Sequence, residues 1–162
     1  MIYIVEDDLN IRQMESYALR NSGYDVMEFD DSRSFFAQCE KRLPQLVLLD
    51  IMLPGEDGSL RMARIMAQLR QQPPAEWDGI PVESWVDYEP GRCYTGDSVT
   101  VLELQGSNVL EYRLATGEKL IVRPSGTEPK IKIYALMQSV TAEQADDRAA
   151  HCAKAAEDLL LR

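Results

Sequence analysis

The feature that most constrains the fold is residues 46–49, a continuous run of leucine and valine. A strand without polar alternation is typical of a parallel sheet that is covered on both faces. Residues 2–5 form a similar apolar run, and residues 24–29 predict a further strand. Between these runs, residues 10–21 and 32–42 show the apolar spacing of helices. The order strand, helix, strand, helix, strand predicts an α/β fold with a doubly wound parallel sheet.

Acidic residues follow two of these predicted strands. Glu6 and Asp7 come after the first strand, and Asp50 comes after the third. In open α/β sheets, ligands bind at the carboxyl edge of the strands, and carboxylate oxygens are suitable ligands for Mg²⁺. The sequence therefore predicts a weak Mg²⁺ site formed by these acids. The alternative is that they cap the following helices and keep the loops solvated.

Residues 2–8 (IYIVEDD) and 50–58 (DIMLPGEDG) resemble the first strand and the phosphoacceptor loop of bacterial response-regulator receiver domains. The resemblance covers residues 1–58 and implies a flavodoxin-like half domain. It implies that Asp50 is the phosphorylated aspartate and that the Met52 carbonyl joins the three acids as a Mg²⁺ ligand. The Thr or Ser and the Lys of the receiver switch have no counterpart further along the chain. We therefore expect a receiver remnant, with a working phosphoacceptor module as the alternative.

Residues 120–134 (LIVRPSGTEPKIKIY) predict a β-hairpin whose loop is suited to phosphate. Free backbone N–H groups in such a turn form an anion-binding nest, and Gly126 allows a ligand to approach the backbone. Ser125 and Thr127 supply hydroxyls, and the Arg123 guanidinium matches phosphate oxygens. The alternative is an ordinary hairpin loop that happens to contain these residues.

This loop closely resembles the phosphate-binding loop in the C-terminal domain of the phosphoglucomutase and phosphomannomutase family. The resemblance extends from about residue 60 and implies an α+β domain with an antiparallel sheet. It implies that Arg123, Ser125, Gly126 and Thr127 hold the sugar phosphate, with Lys132 helping from the next strand. The predicted elements are strands at residues 82–88, 98–104, 109–114, 120–122 and 131–137, and a final helix at residues 141–161.

The two resemblances meet without a linker, which predicts domains at residues 1–58 and 59–162. The helix predicted at residues 59–72 belongs to both patterns. We expect the halves to merge through it into one α/β structure, in which residues 82–88 pair beside residues 46–49. The alternatives are two separate lobes, or a homodimer through the exposed edge of the third strand.

Composition excludes several classes of partner. The net charge of −10 argues against nucleic acid and against anionic membrane surfaces. No apolar run is long enough to span a bilayer, and Met1 does not open a secretory signal. The three cysteines are widely spaced, as expected for reduced thiols in the cytoplasm.

The predicted function follows from the two resemblances. The mutase family implies a catalytic serine loop and a metal loop in earlier domains, and this sequence contains neither. We therefore predict an engineered or recombined chimera without catalytic activity, which binds phosphate or a phosphosugar weakly. The alternatives are a signalling receiver and a phosphosugar-binding module of a mutase.

Overall fold

The computed structural model describes residues 1–39, 41–52, 58–77, 79–126 and 128–136. They form two compact units, Met1–Asp50 with residues 134–136, and Ile51–Ile133. The helix predicted at residues 141–161 lies outside the described residues. In the described part of the chain, no helix is long and apolar enough to span a membrane.

The first unit contains the predicted alternation of strands and helices. The elements are β1 (Ile2–Val5), α1 (Leu9–Asn21), β2 (Val26–Phe29), α2 (Ser32–Cys39) and β3 (Leu46–Met52). The parallel strands lie in the order β2, β1, β3, so that β1 is paired on both edges. This confirms the βαβαβ pattern with parallel strands.

Aromatic side chains form the core of the first unit. The rings of Tyr3, Phe29 and Phe35 meet edge to face, with centroids 5.1 to 6.3 Å apart. Such pairs add to the stabilisation that comes from apolar burial. The Tyr3 hydroxyl donates to the Arg42 carbonyl at 2.6 Å, so the polar end of this buried ring is satisfied.

The second unit is a helix followed by an antiparallel sheet. The elements are α3 (Gly58–Gln71), β4 (Glu76–Trp77), β5 (Ile80–Asp87), β6 (Arg92–Thr95), β7 (Ser98–Val101), β8 (Leu110–Leu114), β9 (Lys119–Pro124) and β10 (Lys130–Leu136). The strands lie in the order β10, β9, β8, β5, β6, β7, and the short strand β4 also pairs with β5. The mixed α/β class, with parallel and antiparallel strands, is thereby confirmed.

Helix α3 packs on one face of this sheet, which we call the α3 face. Met66 and Leu69 are buried, and the Tyr112 hydroxyl donates to the Leu69 carbonyl at 3.3 Å. At the end of α3, Arg70 forms an ion pair with Asp87 at 2.9 Å. Because neighbouring residues of a strand point to opposite faces, the residues adjacent to Tyr112 on β8 belong to the other face.

The predicted pairing of residues 82–88 beside residues 46–49 is wrong. Both edges of β5 are occupied, one by β6 and the other by β8. The tight turn at Gly91, with φ of 64°, brings β6 back onto β5 at once. Sequence reasoning missed β6 because it is only four residues long and mixes polar with apolar side chains.

Candidate functional site

The register of β1 and β3 brings two of the predicted acids to one sheet edge. Val5 lies opposite Leu49 on these parallel strands. Glu6, which follows β1, and Asp50, which lies within β3 and not after it as predicted, are the next residues along these two strands, toward the carboxyl edge of the sheet. This is the edge at which open α/β sheets bind ligands.

The acids of this edge have different surroundings. Glu6 is buried, and its Oε1 accepts the Asp8 backbone N–H at 3.0 Å. Asp7 is exposed, while Asp8 caps α1 by accepting the N–H groups of Asn10 and Ile11 at 2.8 and 3.1 Å. The predicted alternative of helix capping therefore applies to Asp8, which was not a predicted ligand.

Asp50 is half-buried, and both of its carboxylate oxygens are shielded from solvent, as is Glu6 Oε2. Within the described ranges, no three acidic, histidine or cysteine side chains form a group able to hold a metal ion. The Mg²⁺ site of Glu6, Asp7, Asp50 and the Met52 carbonyl, and the phosphoacceptor role of Asp50, stay predictions. Residues 53–57 of the resembling loop lie outside the described residues.

Short-range hydrogen bonds close the predicted phosphate loop, which joins β9 to β10. The Ser125 N–H donates to the Lys130 carbonyl at 2.8 Å, and the Lys130 N–H donates to the Glu128 carbonyl at 2.8 Å. The Ser125 amide is therefore committed to the hairpin. Fewer backbone N–H groups are therefore available for the predicted anion-binding nest than the sequence suggested, and phosphate binding by this loop stays a prediction.

Gly126 is an open position of the loop. It is exposed, its φ is outside the left-handed region, and a Cβ built on it would meet no atom within 4 Å. Arg123 is exposed at the end of β9, and Lys132 is half-buried in β10. Thr127 lies outside the described residues. The loop therefore has open space at Gly126, and Arg123 is an exposed residue of the same hairpin.

Sequence reasoning missed a charge network on the sheet face that Arg123 shares. Glu111 lies opposite Ile121, two residues before Arg123. Its carboxylate accepts the Arg113 Nε–H at 2.8 Å and the Tyr88 hydroxyl at 2.9 Å. The only available sequence signal was the spacing of Glu111 and Arg113, which places both on one face of a strand.

The pKa of Glu111 reflects these contacts. Burial disfavours the charged carboxylate, but hydrogen bonds from Arg113 and Tyr88 outweigh it, and the pKa of Glu111 is lowered. Burial, together with the hydrogen bond that Tyr88 donates to Glu111, raises the pKa of Tyr88. Glu111 is therefore an ionised, partnered carboxylate on the face of the phosphate loop.

Comparison with known proteins gives two separate matches. Residues 2–76 match the response regulator receiver domain family, beyond the predicted limit of residue 58 and through α3. The chain therefore joins a receiver-like segment to a phosphoglucomutase-like segment. In the C-terminal half, it is 37% identical over 83 residues to phosphoglucomutase of Staphylococcus aureus strain N315, and 37% identical over 84 residues to that of strain MRSA252. Each match covers 51% of this chain and 15% of the relative.

Proposed function

We propose that this chain is a phosphate-binding protein without mutase activity, formed by recombination or engineering from parts of two families. The observation that carries the proposal is the closed hairpin loop with exposed Arg123 beside the open backbone at Gly126. The phosphoglucomutase-like match of the same half supports a phosphate or phosphosugar as the ligand. If a single protein family matched residues 1–162 throughout, the proposed origin from two families would be contradicted.

The affinity follows from the chemistry of the loop. A guanidinium donates two parallel hydrogen bonds to phosphate oxygens, and Gly126 lets the anion approach the backbone. Lys132 adds a second positive charge from the next strand. With these contacts alone, we expect a dissociation constant of about 1 mM for inorganic phosphate, which corresponds to about −4 kcal/mol.

Backbone amide chemical shifts during a phosphate titration test this site. Gly126 should shift with phosphate, and Arg123→Ala should weaken binding about tenfold because the forked donor is lost. Arg123→Lys keeps the positive charge without the forked donor, so its phosphate affinity should lie between that of the original chain and that of Arg123→Ala. Arg92→Ala is the matched control, since it makes the same charge change on the α3 face. If Arg123→Ala and Arg92→Ala weaken phosphate binding equally, the loss comes from the change in net charge and not from a site at the loop.

The proposal of no mutase activity rests on the small part of each relative that is matched. Residues 1–162 are expected not to convert glucose 1-phosphate to glucose 6-phosphate. Arg123 and Ser125 have the chemistry to hold a phosphate, but we assign no group to its transfer. A coupled assay on pure protein is the measurement, and a rate that falls in Arg123→Ala would contradict this part of the proposal.

A second candidate function concerns the acidic edge. The adjacency of Glu6 and Asp50 favours weak Mg²⁺ binding. We expect slow or no labelling of Asp50 by acetyl phosphate, because the receiver Lys and the switch Thr or Ser have no counterpart. Intact-protein mass spectrometry is the measurement. A stoichiometric phosphate that is lost in Asp50→Asn would instead assign the signalling alternative.

A further inference from the structure

Strand β7 (Ser98–Val101) is an edge that no other strand of the described residues covers. All four residues are exposed, and Val99 and Val101 retain 55% and 76% of their exposure. In the described sheet, β7 pairs with β6 and forms the end of the strand order. Its outer edge is therefore turned toward solvent.

The hydrogen-bond pattern identifies the groups on this edge. In an antiparallel pair, hydrogen-bonded and non-hydrogen-bonded residue pairs alternate. The Leu102 N–H donates to the Gly91 carbonyl at 2.8 Å, so residue 102 bonds inward, toward β6. Thr100 follows the same parity, whereas Val99 and Val101 direct their backbone N–H and C=O groups outward. The two exposed valines thus supply both apolar side chains and backbone hydrogen-bonding groups.

The sequence of β7 does not protect this edge. Native edge strands are usually blocked by lysine, proline or a bulge, but residues 98–101 are Ser, Val, Thr and Val, in a regular register with β6. Exposed acids lie at both ends, Asp97 before the strand and Glu103 after it. We propose that the β7 edge binds an extended segment of another protein that carries alternating aliphatic residues and a Lys or Arg at each end.

Three observations favour this partner over a second copy of the chain. A two-fold axis at Thr100 would place Asp97 of one copy opposite Glu103 of the other, twice, and like charges in such positions are destabilising. The net charge of −10 adds a general repulsion between copies. A four-residue edge also covers little of the roughly 1,200–2,000 Å² that stable interfaces between folded proteins bury. A short basic-ended strand satisfies both the backbone groups and the charges.

The test uses the full chain and a synthetic peptide, acetyl-Lys-Thr-Val-Thr-Val-Thr-Lys-amide, in which the two Lys residues are six positions apart, as Asp97 and Glu103 are. Added peptide should shift the amide resonances of Val99 and Val101. A peptide with Glu at both ends should bind about tenfold more weakly at low salt. Val101→Pro removes one outward donor and leaves the bonds to β6 in place, so we expect about a fivefold loss. Val101→Thr keeps the N–H and should bind like the original chain.

A charge-reversed chain keeps the test informative if Val101→Pro fails to fold. Asp97→Lys combined with Glu103→Lys should reverse the preference and favour the Glu-ended peptide. Absent shifts at Val99 and Val101, or equal binding of both peptides, would overturn the proposal. So would a dimer in sedimentation velocity that Val101→Pro dissociates, because the occupant would then be a second copy.

Discussion

The candidate sites of the two units differ in the sequence distance between the residues that form them. In Met1–Asp50, the acidic edge combines Glu6, which follows β1, with Asp50, which lies in β3, and the register of Val5 with Leu49 brings the two together. In Ile51–Ile133, the phosphate loop is a local hairpin closed by the hydrogen bond from Ser125 to Lys130. The difference teaches that a site on a hairpin depends mainly on its own turn, whereas a site on a parallel sheet depends on the core that aligns its strands.

The largest expected effect comes from removing an aromatic ring that supports the acidic edge. Phe35 is buried against Tyr3 and Phe29, so Phe35→Ala should lower the free energy of unfolding by about 3–5 kcal/mol. Urea denaturation is the measurement. Phe36→Ala is the matched control, because the neighbouring ring is only half-buried. If Phe36→Ala costs as much as Phe35→Ala, this aromatic cluster is not the main support of β1.

The next largest effect concerns the buried carboxylate of the second unit. Glu111→Gln keeps the shape but weakens two charge-assisted hydrogen bonds, and it should cost about 1–3 kcal/mol at pH 7. Because the pKa of Glu111 is lowered in the folded chain, its stabilisation is full above the usual value of 4.5 and is lost as the pH falls further.

Urea denaturation between pH 7 and pH 3 measures this pH dependence. The original chain should lose stability more steeply below pH 4.5 than Glu111→Gln does. The variant Glu103→Gln, at an exposed position, should keep the steep loss. Parallel curves for the original chain and Glu111→Gln would show that the hydrogen bonds from Arg113 and Tyr88 do not hold the charge.

Mg²⁺ should have a smaller effect on the first unit. If Glu6, Asp7 and Asp50 bind the ion, a tenfold excess over the dissociation constant adds about 1.4 kcal/mol to the free energy of unfolding. Thermal melts with and without Mg²⁺ measure the gain. Asp50→Asn should remove it, whereas Asp97→Asn, the same charge change in an exposed turn, should keep it. A gain that is unchanged in Asp50→Asn would place the ion elsewhere.

The contrast between local and distant contacts also explains what the sequence could predict. The repeating apolar pattern predicted β1, α1, β2, α2 and β3, and the turn residues predicted the hairpin of the phosphate loop. The pairing of β5 with β8 was not predictable because it joins segments that are distant in the chain, whereas β6 was missed because it is short and of mixed polarity. The hydrogen bond of the Ser125 amide was also missed, since a residue pattern does not show which N–H groups of a loop close its own turn.

The smallest effect on stability should come from Gly126→Ala, which separates ligand binding from folding. A methyl group at this position meets no atom within 4 Å, and φ lies outside the left-handed region. The free energy of unfolding should therefore change by less than about 0.5 kcal/mol. If phosphate approaches the backbone here, the added methyl group should weaken phosphate binding, as measured by the amide shifts of the loop. Gly96→Ala is the control. Because Gly96 has a φ of 55°, which strains a residue with a side chain, this substitution should lower the free energy of unfolding by about 1 kcal/mol. It should leave the phosphate affinity unchanged. Unchanged phosphate binding in Gly126→Ala would restrict recognition to side chains such as Arg123, and the local turn would then supply only their support.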